Sequence, residues 1–518
     1  MKNFFQKFTP HLLLGLTAIV ASLLSYSATP AGVGLTNDSA AYIGGARSIL
    51  NGTGYSDIWL MPPYEPITHY PPLYSMILAG GGMLGVDPIR AARALNILLF
   101  GLNTYLTGYL VWLVTRKILF TLWASLIFIS TVMFLRVHVY AMSEALFLAI
   151  MLGAILTLRA YSIRPKMVYI GLLALLSAGA ILTRYSGLAL VPAITLGLFF
   201  LAEDWKRKFS TALFYLGLTF LVTLPWFIRN RMVAGNVTNR SWEFHPITSD
   251  NLDQGIYNLS RLFIPVESIR RPIFKSGAWE WMLFLLFVGI CIWAAILFFQ
   301  LAASKKRDPS KIFNFTLLAT FAAYFLAIFF SMSFFDNSTK LQDRIIAPGY
   351  LLFLLILVLS ANTWLTKGAK WKVGLLGILG VVTLIFSLNA TILEMLSLRS
   401  GGLGYASWKY RDNPVMLAVR ELPKDVIVFT NSPPAVYLAA DRATQVMPTA
   451  IDPVSNTLRT DYSDNLSAML QQIESGAAVL ALFNTSDLEN SGFIEDNAKF
   501  LNEFTILKKG GDAVLFSR

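Results

Sequence analysis

Apolar and polar positions are arranged along this chain in long blocks. Stretches of predominantly apolar residues fall near 11–29, 92–114, 118–136, 142–160, 167–183, 187–203, 209–228, 280–303, 312–334, 345–365 and 373–393. Each approaches the roughly 20 residues that an α-helix needs to cross a hydrocarbon layer, and 167–183 is the shortest. The pattern predicts an α-helical polytopic membrane protein with about eleven transmembrane helices. The run Leu12–Tyr26 follows Lys2 and Lys7, as a signal peptide would, but Ser25–Ala31 is a weak cleavage pattern. It reads as an uncleaved first span.

Two kinds of interruption stand out. The first is Asn37–Tyr74, the only long polar break in the first 200 residues, read as a first loop over 30–90. A helix starting near Asn37 puts Asp38 and Tyr42 on one face. Tyr70-Pro71-Pro72-Leu73-Tyr74 then turns the chain back, with prolines that pin the backbone and aromatics that suit a membrane–water boundary. The second is everything after the last apolar stretch. Leu422–Asn431 and Ala477–Phe483 read as buried strands, Thr505–Lys509 and Ala513–Ser517 flank Gly510-Gly511 as a hairpin, and Ser463–Glu474 has helical periodicity. The expected division is a membrane domain over 1–394 and a small α/β domain over 395–518.

Composition sharpens this picture. Of 518 residues, 55% are hydrophobic and 14% charged, against roughly 25% charged in a soluble domain. The single cysteine, Cys291, rules out an internal disulfide or a cysteine metal site. The net charge is +12, yet 395–518 holds 11 Lys/Arg against 14 Asp/Glu, so the positive excess belongs to the apolar part. That argues for loop topology and against a nucleic-acid partner.

With the N-terminus inside, the inner loops carry Lys2, Lys7, Arg116, Lys117, Arg159, Arg164, Lys166, Lys206, Arg207, Lys208, Lys305, Lys306, Arg307, Lys311, Lys367, Lys370 and Lys372. Only Glu203, Asp204 and Asp308 oppose them. An N-in/C-out topology follows, and it makes the C-terminal domain extracytoplasmic. One outer loop, 229–278, departs from the rule with Arg229, Arg231, Arg240, Arg261, Arg270, Arg271 and Lys275 against four acids. Either an anionic partner or lipid phosphates would account for it.

This topology gathers the ionisable groups at one boundary: Asp38, Glu65 and His69 in the first loop, His138 and Glu144 at the next outer turn, then Arg184, Arg229 and Arg344. Each also has a structural explanation. Asp38 could cap a helix, Glu144 could favour a first helical turn, the arginines could be interfacial anchors, and the histidines could be hydrogen-bonded spacers. No Walker loop, G-x-S-x-G elbow, H-E-x-x-H, kinase set or dinucleotide-binding glycine fingerprint occurs. A group transfer here would need a donor delivered by the membrane.

The ordered set resembles the polytopic GT-C glycosyltransferases, near glycosyltransferase family 39, the branch of protein O-mannosyltransferases and aminoarabinose transferases. The matching pieces are Asp38 with Tyr42, Tyr70–Tyr74, Ser143-Glu144, Thr183–Gly187, Pro225-Trp226 with Arg229-Asn230, and Arg344 with Pro348. They cover about 10–360. The resemblance implies a polyprenyl-phosphate sugar donor and inversion at the anomeric carbon. The acceptor hydroxyl would lie on an envelope glycolipid, polysaccharide or protein at the outer face of the plasma (inner) membrane.

It also implies roles. Asp38 would be the general base and Glu144 the second acid. Tyr42, His69, Tyr70, Tyr74 and His138 would line the substrate site, and Arg184, Arg229 or Arg344 would bind the donor phosphate. Asn37 and Ser39 flank Asp38 where many relatives carry a second acid, and His69-Tyr70 stands where many carry Glu-Lys. A divalent metal ion held by Asp38, Glu65 and His69 is a further expectation. The rivals are a transporter or flippase of lipid-linked sugars, which should show paired intramembrane charges or repeated halves, an oligosaccharide polymerase, and a non-catalytic scaffold with a glycan-binding outer domain.

Overall fold

The computed structural model describes residues 2–518 apart from 203, 238–241, 262–263, 276, 305–306, 336–338, 367–369, 452–457, 491–500 and 502. Lys305, Lys306, Lys367, Glu203 and Arg240 of the charge pattern therefore lie outside the described residues.

In chain order the helices are α1 (Lys2–Ala28), α2 (Asn37–Leu50), α3 (Leu73–Met83), α4 (Pro88–Thr115), α5 (Ile118–Ser130), α6 (Val132–Val137), α7 (Glu144–Ile163) and α8 (Met167–Thr183). A 3-10 turn, Tyr185–Ala189, leads into α9 (Leu190–Leu201). Then come α10 (Trp205–Ala234), α11 (Ser249–Ser260), α12 (Glu267–Lys275), α13 (Ala278–Ala303), α14 (Pro309–Phe334), α15 (Asp343–Thr366) and α16 (Lys370–Gly401). The C-terminal part alternates α17 (Trp408–Arg411), α18 (Pro414–Glu421), β1 (Ile427–Thr430), α19 (Pro433–Ala440), β2 (Gln445–Val446), α20 (Tyr462–Glu474), β3 (Ala478–Phe483), α21 (Thr485–Asn490), β4 (Thr505–Lys509) and β5 (Ala513–Ser517).

Each of the eleven apolar stretches contains a helix. Among the described residues, eight helices are long and apolar enough to cross a membrane; α5, α8 and the Tyr185–Leu201 segment are shorter. The breaks have local causes. Thr131 is extended between α5 and α6, and its hydroxyl donates to the Ile127 carbonyl at 2.7 Å. Arg184 is extended after α8, and the 3-10 turn tightens behind it. A side chain on Gly187 would collide with the Ala180 backbone, so only glycine fits that turn.

The chain forms two compact units, one of residues 1–28, 94–139 and 143–396, the other of 29–93, 140–142 and 397–518. The segment expected as the first loop thus belongs with the C-terminal residues. In the first unit, helices pack through small residues and hydroxyls. Gly197 of α9 meets Thr316 of α14, and Gly349 of α15 meets Phe325. Thr104, Thr157, Thr316 and Thr320 each donate to the carbonyl four residues back. That satisfies a hydroxyl where no water reaches it.

The second unit holds a five-stranded sheet in the order β2-β1-β3-β5-β4, with β1 parallel to β2 and β3 and the remaining pairs antiparallel. Both faces are covered. Val428, Ala481 and Phe483 pack with Val415, Met416 and Val436, whereas Phe429, Leu480 and Leu482 pack with Met469, Ile473 and Phe516. Side chains alternate between faces along a strand, so a strand covered on both sides reads as a continuous apolar run. That is why Ile427–Phe429 and Ala478–Phe483 were legible.

Candidate active site

The second unit centres on α2. Its first turn is closed by Thr36 and Ser39, since Ser39 Oγ accepts from the Thr36 amide at 2.9 Å and lies 3.3 Å from the Thr36 hydroxyl. Asp38 is therefore not the cap. It is half-buried, and its Oδ1 accepts the Tyr70 hydroxyl at 2.8 Å. Tyr70 is backed by aromatic edges, with the Tyr42 ring 5.3 Å from it and Tyr74 5.1 Å from Tyr42.

Tyr42 is 3% exposed and Tyr74 fully buried, which corrects their expected place in the substrate site. They are the wall that fixes Tyr70. His69, exposed, leans on the Tyr70 ring at 4.5 Å. The far end of α2 is held by Arg47, which pairs with Asp87 and Asp441, each at 3.0 Å, and lies over the Tyr437 ring.

The metal expectation fails on geometry. Among the described residues, no three His, Cys, Asp or Glu side chains gather closely enough to hold an ion. Glu65 pairs by its backbone with Asp57, exchanging an amide–carbonyl bond at 2.9 Å and a bond from its amide to Asp57 Oδ1 at 2.6 Å. Its carboxylate is exposed, so Asp38, Glu65 and His69 do not form a ligand set. Asp57 itself is buried, and burial pushes its carboxyl up to about 6 against the opposing pull of the Glu65 amide.

In the first unit the expected residues fall into two groups. At the start of α7, Glu144 is 1% exposed and its Oε1 accepts from Arg184 Nη1 at 2.5 Å, while Ser143 Oγ accepts from the same nitrogen at 3.3 Å. Glu144 is thus no accessible acid. With Ser143 it holds Nη1 of Arg184. Beside it Tyr185 accepts from Trp226 Nε1 at 3.0 Å and from Asn230 Nδ2 at 3.3 Å. Arg229 lies over the Trp226 ring and donates to Asn230 Oδ1 at 3.1 Å. Tyr324 of α14 donates to the Ile345 carbonyl at 2.7 Å, next to the half-buried Arg344. The separate motifs Thr183–Gly187, Pro225–Asn230 and Arg344–Pro348 thus converge.

His138 is the second group, and it is a correction. It is fully buried, with Nε2 taking a bond from Asn103 Nδ2 at 2.9 Å and Nδ1 donating to the Phe134 carbonyl at 2.7 Å. Both ring nitrogens are engaged inside the helix packing, so it spaces helices and does not meet substrate.

The basic loop 229–278 also reads differently in three dimensions. Arg261 is bound by both oxygens of Asp343 at 2.9 and 2.8 Å, and Asp343 also receives Arg136 at 2.9 Å. Arg136 in turn meets Glu394 at 2.7 Å. Arg270, buried, lies over the Tyr257 ring and donates to its hydroxyl at 3.2 Å. Two of the loop's arginines are therefore engaged internally, with no anionic partner needed for them. Sequence reasoning missed Arg47 and Tyr405, whose roles depend on partners far away in the chain.

Residues 61–235, about a third of the chain, match the family described as dolichyl-phosphate-mannose-protein mannosyltransferase. No curated protein sequence matches. Among solved structures, ArnT from Cupriavidus metallidurans bound to undecaprenyl phosphate is similar with a TM-score of 0.57 and 10% identity, covering 97% of both chains. An oligosaccharyltransferase from Archaeoglobus fulgidus tethered to an acceptor peptide gives 0.51 and 11%, covering 97% of this chain and 73% of that one. The archaeal oligosaccharyltransferase AglB from the same organism, with an inhibitory peptide and a dolichol-phosphate, gives 0.51 and 11%, covering 94% and 71%. The chain thus shares its fold with these membrane glycosyltransferases, and its residues 61–235 match the mannosyltransferase family.

Proposed function

We propose that this protein transfers a sugar from a polyprenyl-phosphate donor to an acceptor hydroxyl, inverting the anomeric carbon, at the outer face of the plasma membrane. The observation that carries the reading is the state of Asp38. Capping is done by Thr36 and Ser39, and a tyrosine hydroxyl orients the half-exposed Asp38 carboxylate. In the donor class, the reading is supported by the undecaprenyl phosphate and dolichol-phosphate named with the similar structures. The bias of Lys and Arg toward alternate loops supports the outer-face assignment.

Asp38 takes the proton of the acceptor hydroxyl as its oxygen attacks the anomeric carbon. The bond from that carbon to the phosphate oxygen breaks, and its electron pair leaves with polyprenyl phosphate. Such a base contributes roughly 10²–10⁴ in rate. Within the first unit, the arginine group of Arg184, Arg229 and Arg344 pairs with phosphate oxygens and steadies the leaving charge. Glu144 positions Arg184. The sugar is a hexose or pentose, and the acceptor an envelope glycolipid, polysaccharide or protein.

The test is turnover of undecaprenyl-phosphate-linked mannose, glucose and aminoarabinose by wild type and Asp38→Asn in detergent, following free lipid phosphate. Turnover of one donor, lost in a folded Asp38→Asn protein, supports the reading. Normal turnover by the variant overturns the base. Binding without consumption of any donor by either protein favours a transporter or scaffold.

A further inference from the structure

The segment Gly402–Tyr405, at the start of the C-terminal residues, is built into the entrance of α2. Leu35 pairs with Gly404: the Leu35 amide donates to the Leu403 carbonyl at 3.3 Å, and the Tyr405 amide donates to the Leu35 carbonyl at 2.8 Å. On the other side Gly34 pairs with Tyr140, and the Ala141 amide donates to the Gly34 carbonyl at 2.8 Å. Gly404 has φ +54°, and a side chain there would run into the Leu35 carbonyl. The approach is so close that it requires glycine. From this ribbon Tyr405 reaches α2, and its hydroxyl donates to Asn37 Oδ1. The Tyr410 ring, edge-on at 4.9 Å, sets its orientation.

We infer that Tyr405 is a positioning residue for Asp38, holding the first turn of α2 through Asn37 so that the neighbouring carboxylate keeps its bearing. The inference rests on the reading of Asp38 as the base. Its chemistry is geometric. Asn37 and Asp38 are consecutive in the first turn, where backbone amides lack intrahelical partners and fray most readily. A side-chain tether there limits that fraying, and displacement of a reacting group by about 1 Å costs as much as 10²-fold in rate.

The experiment uses the full chain in detergent, with Tyr405→Phe, Asn37→Ala, the double variant and Asp38→Asn. Each single variant should lose about 10-fold in kcat on the donor that wild type consumes, with donor KM and thermal midpoint unchanged. Because one contact is being removed in two ways, the double variant should fall no further than either single one. Hydrogen–deuterium exchange across 36–42 should quicken in both single variants, a readout independent of turnover.

Wild-type kcat in Tyr405→Phe, losses that multiply in the double variant, or unchanged exchange across 36–42 would overturn the positioning role. If Tyr405→Phe does not fold, Asn37→Ala alone decides, and normal exchange there overturns the inference. Full turnover by Asp38→Asn overturns the base assignment instead, whatever Tyr405 does to the helix.

Discussion

Tyr70 donates its hydroxyl to Oδ1 of Asp38 at 2.8 Å across 32 residues of chain. A hydrogen bond to a charged group contributes about 1.5–3 kcal/mol. Tyr70→Phe keeps the ring against Tyr42 and removes only this bond. The expected result is a roughly 10- to 100-fold fall in kcat/KM, carried mainly by kcat, with the thermal midpoint near wild type. Steady-state kinetics on the consumed donor check it.

Glu144 and Arg184 form a pair with one member almost wholly buried. Removing one partner of such a pair leaves an uncompensated charge and costs about 3–5 kcal/mol. Glu144→Ala should lower the thermal midpoint sharply. Glu144→Gln keeps an oxygen toward Arg184 and should fold, yet raise donor KM because Arg184 is held less tightly. A folded Glu144→Gln protein with normal donor KM would remove the positioning role.

Asp57 supplies a pH dependence whose sign is fixed by its environment. Its folded value, about 6, lies above the ordinary 3.8. The folded state thus holds the proton more tightly, so the contribution to stability is fully present below about pH 4 and is lost as pH rises to about 6. At neutral pH the ionised carboxylate costs at most about 3 kcal/mol. Asp57→Asn keeps an acceptor for the Glu65 amide and should raise the thermal midpoint at pH 7 while flattening its dependence between pH 4 and 6. Thermal unfolding at stepped pH measures this directly.

Arg261 distinguishes two uses of positive charge. Its guanidinium meets both oxygens of Asp343. Arg261→Ala should therefore reduce stability by about 1–3 kcal/mol and leave donor KM within roughly twofold. A large rise in donor KM with unchanged stability would return this residue to the ligand side.

How far the sequence could be read follows from which signals are local. Apolar length located every helix of the first unit that was expected, because burial in lipid demands it. It missed the break at Thr131, where apolar residues continue on both sides and only the backbone changes. Asp38 and the arginines were visible as ionisable groups outside the apolar stretches. Tyr42, Tyr74 and His138 were misplaced because an aromatic or histidine near a membrane boundary has the same letter whether it faces a ligand or fills a core. Glu144 was visible as an acid, but its burial against Arg184 was not, since that partner lies 40 residues away. The close approach of Gly404 to Leu35 carried no local signal, because its partner lies near the other end of the chain.

That last separation bears on the order of assembly. Asn37 and Tyr405 are 368 positions apart, and the Leu35–Gly404 pairing spans a similar interval. A ribosome adds roughly 5–20 residues each second. The helix that carries Asp38 therefore waits tens of seconds, through the synthesis of α3 to α16, before its entrance can close. Until then the nascent chain holds the carboxylate against Tyr70 alone, so a polypeptide arrested before Tyr405 would carry the acid and lack the second tether.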